Sequence, residues 1–343
     1  MNAKQAPSQQ AGATSGISSR IIQSRFFFYV FLASFAFILI FLLLSSIELL
    51  NPDFHASLSS RIFPYFWIFL LFVGQSNMSI PHLEVSIPSV TVFQLVVVMI
   101  SLYATFFAVM ILSSFIKKNG DRTILRNSVI FYGAMTTFGL LVSFLVIALE
   151  QFAGIPIGGG GIVNNSDKYL TYVSLIYAPF VEELGFRILP LGIYAMVLIS
   201  LYRPFRKDVV LAFFGPGYVR RKYGLKLGYV GYALIIITSA FFGYAHVLYG
   251  GWDWGKFLQA SLVGVILAFG YLEFGMFVDI PMHWFYNGVL TVTYLLPSAS
   301  VLTDLAIFWF LFVGILTAVF LLFLSIRGAK AHGHSVTPKI GSP

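Results

Sequence analysis

Residues 169–202 read YLTYVSLIYAPFVEELGFRILPLGIYAMVLISLY, an apolar run long enough to cross a bilayer, which takes about 20 residues, yet broken by Glu182, Glu183 and Arg187. A charged side chain at the centre of a membrane helix costs roughly 2.5 to 3.5 kcal/mol even on lenient insertion scales. Three such groups in six residues therefore mark a candidate functional site, and the rest of the chain is best read as their support. Pro179 and Pro190 flank them and should kink the segment, freeing backbone carbonyls.

Composition agrees with that placement. The chain of 343 residues is 58% hydrophobic and 10% charged, with a mean hydropathy of +0.88, whereas soluble domains carry about 25% charged residues. An all-α polytopic membrane protein is expected. With no cysteine, disulfides, thiolate zinc sites and thiol nucleophiles are excluded. The net charge of +8 sits between apolar runs, which indicates cytoplasmic loops rather than nucleic-acid binding.

Outward from the central segment, further runs long enough to span are Phe26–Leu50, Val90–Ile116, Ser128–Leu149, Gly228–Leu248, Lys256–Phe274, Met276–Leu296 and Leu302–Ile326. About eight transmembrane helices result. Basic residues crowd into the N-terminus, Lys117–Arg126, Arg203–Lys226 and Arg327–Lys339. If all four regions are cytoplasmic, alternation requires that Ile62–Val73, short and containing Pro64, does not cross. It is expected to be interfacial or re-entrant. The organisation is then a disordered cytoplasmic N-terminus (1–25), N-terminal membrane helices (26–168), a core (169–296), a last helix (297–326) and a basic cytoplasmic tail (327–343). The expected location is the plasma membrane, with both termini cytoplasmic. Phe26–Leu50 is too long for a signal peptide. The Gly158–Gly161 run reads as a flexible outside linker, and His332 and His334 as part of a solvated tail.

Within the core, helix geometry separates the carboxylates. Glu183 and Arg187 stand four apart with the acid first, the favourable order for an ion pair. Glu182 points about 100° away and is left to act. Two later runs carry the other polar candidates, Phe242-x-x-x-His246 and His283-x-x-x-Asn287. The second pair shares one helix face and can aim its donors at one point. Taken singly, each motif also suits a structural network or interhelical polar contacts. Together they supply what amide hydrolysis needs, a base for water and donors for an oxyanion.

Glu-Glu-x-x-x-Arg, Phe-x-x-x-His and His-x-x-x-Asn, in that order on successive membrane helices, resemble the CPBP family, the intramembrane CAAX-type proteases. The resemblance covers about Tyr169–Leu296. It implies that Glu182 activates water with help from His246, that His283 and Asn287 hold the oxyanion, and that Glu183 and Arg187 brace the site. It further implies a membrane-tethered peptide substrate, of which a lipidated, CAAX-like peptide is one form, and a metal-free site. Ile188 departs from the Gly that many relatives carry there, an alteration expected to affect packing. Asp279, four residues before His283, either orients that ring or caps its helix ahead of Pro281, and capping is the favoured role.

Other readings stay open at this stage. Glu182, His246 and His283 could ligate zinc as two His and a carboxylate. A proton-coupled transporter also places carboxylates and histidines inside a membrane, and a non-catalytic scaffold or immunity protein could share the fold. Depth raises a difficulty: counted from the expected helix ends, His246 lies near the outer face and His283 nearer the inner one. For both to meet Glu182, a helix must be tilted, broken or differently bounded.

Overall fold

The apolar runs are helices in the computed structural model, which describes residues 11–61, 65–69, 82–86, 90–116, 125, 127–156, 158, 167–201, 206–295 and 300–333. Helix α1 (Ala11–Ile47) starts within the stretch expected to be disordered and ends in a 3-10 turn at Glu48–Leu50. A short α2 (Pro52–Ser59) follows, capped by Asn51, whose side chain accepts from the Asp53 and Phe54 N–H groups. Strands β1 (Tyr65–Phe69) and β2 (His82–Ser86) pair antiparallel, Tyr65 opposite Ser86. Then come α3 (Val92–Ile116) and α4 (Ser128–Phe152), and α5 (Lys168–Glu183) passes through a π-helical turn at Leu184–Ile188 into α6 (Leu189–Ser200). The short α7 (Arg206–Phe214) and α8 (Pro216–Lys222) precede α9 (Gly228–Gly250), α10 (Gly255–Phe274), α11 (Met276–Leu295) and α12 (Ser300–Gly333). Most of the basic loop at 117–126, Gly159–Gly161 and His334 lie outside the described residues.

Among the described residues, 7 helical segments are long and apolar enough to cross a membrane, with α5 through α6 counting as one. The chain is a polytopic integral membrane protein. The eighth expected run is α11, helical as read, but Asp279, His283 and Asn287 lower its hydropathy and it is not among those seven. It can carry these groups because it hardly meets lipid. Val278, Asp279, Ile280, Met282, His283, Trp284 and Phe285 are all buried, and α1, α3, α4, α5, α10 and α12 pack around the helix. A helix buried on all sides forms the centre of a bundle.

The described part of Ile62–Val73, expected to be interfacial or re-entrant, is a five-residue strand, which at about 3.3 Å per residue is too short to cross by itself. Tyr65-Phe66-Trp67-Ile68-Phe69 is wholly aromatic or β-branched, the composition that favours a pleated strand. Pairing with β2 satisfies backbone groups that would otherwise be orphaned away from water. β1 runs beside α5 and the π-helical turn. At its start, Arg61 donates to Asp167 at 2.7 Å. Asp167 also caps α5, accepting from the Tyr169 and Leu170 N–H groups.

The depth difficulty is resolved at the other end of the bundle. α10 and α11 are joined by Gly275 alone, whose φ of 87° only glycine adopts without strain. A Cβ there would meet the Phe214 carbonyl oxygen and, 2.8 Å away, Gly215 Cα. Gly217 likewise lies against the Glu273 backbone. Arg220 donates to Leu272 O at 3.1 Å, and Arg221 to Glu273 O and Oε2 at 3.0 Å. These cations satisfy the carbonyls that a helix C-terminus leaves orphaned. The α10–α11 turn is thus covered by α7 and α8, so α11 begins inside the protein rather than at its surface. His283 is correspondingly deeper than a count from a surface boundary places it.

The cover has its own electrostatic clamp. Asp208 is buried and accepts from Lys222 Nζ and Tyr223 Oη, each at 2.8 Å. The Lys222 hydrogen bond, helped by Tyr223, holds its carboxyl below the usual carboxylate range. Because the folded value is depressed, this clamp stabilises the fold above the unfolded value of about 3.9 and is lost as pH falls through the folded one. Amide hydrogen exchange in 206–222, corrected for intrinsic rates, should be flat from pH 8 to 5 and rise below about 4. Asp208→Asn should exchange faster at pH 7 and lose the acid-dependent rise.

Candidate active site

Proline and glycine prepare the local backbone. Pro179 has no N–H, so the carbonyl four residues back, Leu175, loses its helical donor; Asn287 supplies one, its amide nitrogen donating to Leu175 O at 3.2 Å. Pro190 removes the donor for Phe186 O in the same way, and the chain takes a π-helical turn at Leu184–Ile188, with the Leu189 N–H reaching Leu184 O. Such turns re-aim side chains where a straight helix would not. On α9, Gly251 adopts a left-handed conformation and its N–H closes on His246 O, ending the helix just past His246.

Glu183 and Arg187 are fully buried, with Arg187 Nη1 donating to Glu183 Oε1 at 2.9 Å. Arg187 Nε and Nη2 find no acceptor, and the guanidinium lies over the Phe242 ring, 3.8 Å from its centroid, a cation–π contact strengthened by desolvation. Gly264 of α10 makes room for it, since a Cβ there would sit 2.7 Å from Arg187 Nη2. Glu183 Oε1 also accepts from His283 Nδ1 at 2.6 Å.

Glu182 faces the other way. Its side chain is 23% exposed whereas that of Glu183 is 0% exposed, so Glu182 is the more accessible of the two carboxylates, although its Oε2 is itself buried. Its Oε2 stands 3.5 Å from His283 Nε2 and 3.9 Å from His246 Nε2. Both separations exceed an ordinary hydrogen bond. The tautomers follow from the partners. His246 Nδ1 contacts Phe242 O at 2.9 Å, and a carbonyl oxygen only accepts, so Nδ1 carries the proton. His283 Nδ1 donates to a carboxylate oxygen already paired with arginine. In the neutral rings, therefore, both Nε2 lone pairs are turned towards Glu182. A donor role for His283 Nε2 requires the doubly protonated ring, whose charge Glu183 would balance.

The structure thus brings Glu182, Glu183, Arg187, His246 and His283 together from α5, the π turn, α9 and α11. Asn287 lies one helical turn past His283 and donates to Leu175 O, seven residues before Glu182. Asp279 is fully buried, and neither of its carboxyl oxygens accepts a hydrogen bond from a backbone or side-chain N–H or O–H. The favoured capping role is therefore not observed, because α11 starts directly from Gly275, with the Val278 and Asp279 N–H groups on Gly275 O. Ile188, the departure from the family pattern, is buried in the main core.

Sequence reading assigned no role to two contributors. Phe242, one of 37 phenylalanines, is the surface on which Arg187 lies, and its edge contacts reach His246 and His283 with centroids 4.6 and 5.6 Å apart. Its signal was the four-residue spacing to His246. Lys256, in the first turn of α10, sits 4.5 Å over the Trp252 ring and interacts electrostatically with Glu182 and Glu150. A lysine opening an apolar run was its only trace.

For zinc, Glu182, His246 and His283 would have to close round one point. No group of three or more His, Asp or Glu side chains among the described residues is so arranged, and no step is routed through a metal.

Residues 165–289 match the family model described as Rce1-like, type II CAAX prenyl endopeptidase. The matched segment, a little over a third of the chain, contains every site residue discussed above. No curated protein and no solved structure matches the chain.

Proposed function

We propose, from the similarity of residues 165–289 to CAAX prenyl endopeptidases, that the protein is an intramembrane endopeptidase that cuts a membrane-tethered peptide by direct attack of water. The observation that carries this reading is the convergence of two imidazole Nε2 atoms on the more accessible carboxylate of the pair. Water held between Glu182 Oε2 and His246 Nε2 gives a proton to Glu182 while its oxygen attacks the peptide carbonyl. Glu182 then passes that proton to the departing amine as the C–N bond breaks. Both products stay closed-shell, and one solvent oxygen enters the new carboxylate. A positioned base of this kind supplies roughly 10² to 10⁴ in rate.

The oxyanion falls first on His283, whose Nε2–H in the doubly protonated ring points away from Glu183 and towards the reacting carbon. Asn287 contributes there by leaving Leu175 O, which makes it the secondary donor. Glu183 and Arg187 hold His283 in place. The substrate is a peptide anchored in the bilayer, lipidated or membrane-spanning. In this reading both chain termini are cytoplasmic, as the basic segments favour, and the membrane is the plasma membrane.

Purified protein in lipid nanodiscs with a tethered reporter peptide tests the reading. Cleavage is expected to persist undiminished after exhaustive treatment with a strong chelator. Loss of activity that zinc alone restores would instead assign Glu182, His246 and His283 to a metal.

A further inference from the structure

Behind the reactive face, three buried oxygens receive no donor from any N–H or hydroxyl: Glu183 Oε2, Asp279 Oδ1 and Asp279 Oδ2. Yet the Glu183 and Asp279 carboxyls lie within reach of a shared hydrogen bond. Two carboxylates have only acceptors to offer each other, so one of them must carry a proton to make it. Glu183 is committed to its charge, because Oε1 accepts from Arg187 Nη1 at 2.9 Å and from His283 Nδ1 at 2.6 Å. Asp279 has no cation bonded to either oxygen. The groups that interact with it electrostatically are Tyr271 of α10, Tyr286 of its own helix, Glu183 of α5 and Arg187 of the π turn. Ionised, it would be a second buried negative charge beside Glu183 with no partner, an arrangement proteins avoid.

We propose that Asp279 is a neutral carboxylic acid whose O–H donates to Glu183 Oε2, which makes it a positioning residue for the Glu183–His283 pair. Glu183 then accepts from three directions, α11 through Asp279 and His283, and the π turn through Arg187. Its rotamer is fixed, and with it the aim of the His283 ring. The proton accounts for two of the three orphaned oxygens at once, Glu183 Oε2 and the Asp279 oxygen that carries it. Asp279 acts through Glu183, and neither caps its helix nor touches the imidazole four residues on. The catalytic consequence rests on the endopeptidase reading; the protonation does not.

Infrared difference spectroscopy and cleavage assays on the full chain in nanodiscs test this separately. Wild-type protein at neutral pH should show the C=O stretch of a protonated carboxylic acid, and Asp279→Asn should lose that band. Asparagine keeps an N–H donor in the same place, so cleavage by Asp279→Asn should stay within about tenfold of wild type, the scale of one ordinary hydrogen bond. Asp279→Leu removes the donor and should lower cleavage on the order of 10²-fold, as misplacement of a catalytic group does. Absence of the band in wild type, its persistence in Asp279→Asn, or equal inactivity of the two folded variants would each overturn the assignment. Should Asp279→Leu fail to fold, the Asp279→Asn spectrum decides alone. If wild type cuts no peptide while the band behaves as stated, the endopeptidase reading falls and the shared proton stands.

Discussion

Glu182→Gln is expected to abolish peptide cleavage, by roughly 10² to 10⁴-fold or to background, while leaving the folded state as stable as wild type. The asymmetry follows from position. Glu182 is partly exposed and its Oε2 is bonded to no donor, so an amide there breaks no hydrogen bond, yet it cannot take a proton from water. His246→Ala should lower the rate less, because His246 stands farther from Glu182 Oε2 than His283 does. Turnover of the tethered reporter, read beside a thermal melt in the same nanodiscs, checks both statements. A Glu182→Gln protein that cuts at the wild-type rate would remove the base from the mechanism.

Arg187→Leu should act on the opposite quantity. It strands the Glu183 carboxylate at full burial, and breaking a buried pair by removing one partner costs about 3 to 5 kcal/mol. It also takes the guanidinium off the Phe242 ring, so Phe242, and the His246 and His283 rings that touch it, lose a wall. The variant should melt well below wild type and be inactive. Adding Glu183→Gln removes the stranded charge and should recover part of the lost stability without recovering cleavage. That non-additivity is the mark of residues in direct contact. Equal melting of wild type and Arg187→Leu would mean that the buried pair is not a structural element.

The spans could be read from the sequence because apolar length is the strongest signal a membrane helix gives: α3 and α4 begin within two residues of their expected starts and α10 and α11 within one. β1 and β2 could not, since a five-residue aromatic strand looks like any short apolar run until its partner is known. The π turn was equally hidden. Pro179 and Pro190 announced a break, but a hydrogen-bond register shift of one residue leaves no trace in hydrophobic period. The site's two faces were legible, because Glu183 and Arg187 stand four apart and Glu182 does not share their direction. What could not be read was the depth at which α9 and α11 meet. That depends on α7 and α8 covering the α10–α11 turn through Gly217, Gly275, Arg220 and Arg221, contacts between segments far apart in the chain. The third acid, Asp279, was visible as a residue, and the sequence favoured helix capping over orienting His283. No N–H bonds to either of its oxygens, and the partner proposed for it is Glu183 on α5, which four-residue spacing within one helix cannot reveal.

The central claim is that Glu182 turns a water molecule against a peptide bond inside the membrane. Mass spectrometry of the tethered reporter after incubation with the purified protein in ¹⁸O-enriched water measures this most directly. The account predicts two complementary fragments, with one heavy oxygen in the new C-terminal carboxylate, and neither fragment with Glu182→Gln. An intact reporter, together with a proton flux in sealed vesicles that vanishes in the same variant, would contradict it and make Glu182 part of a transport path.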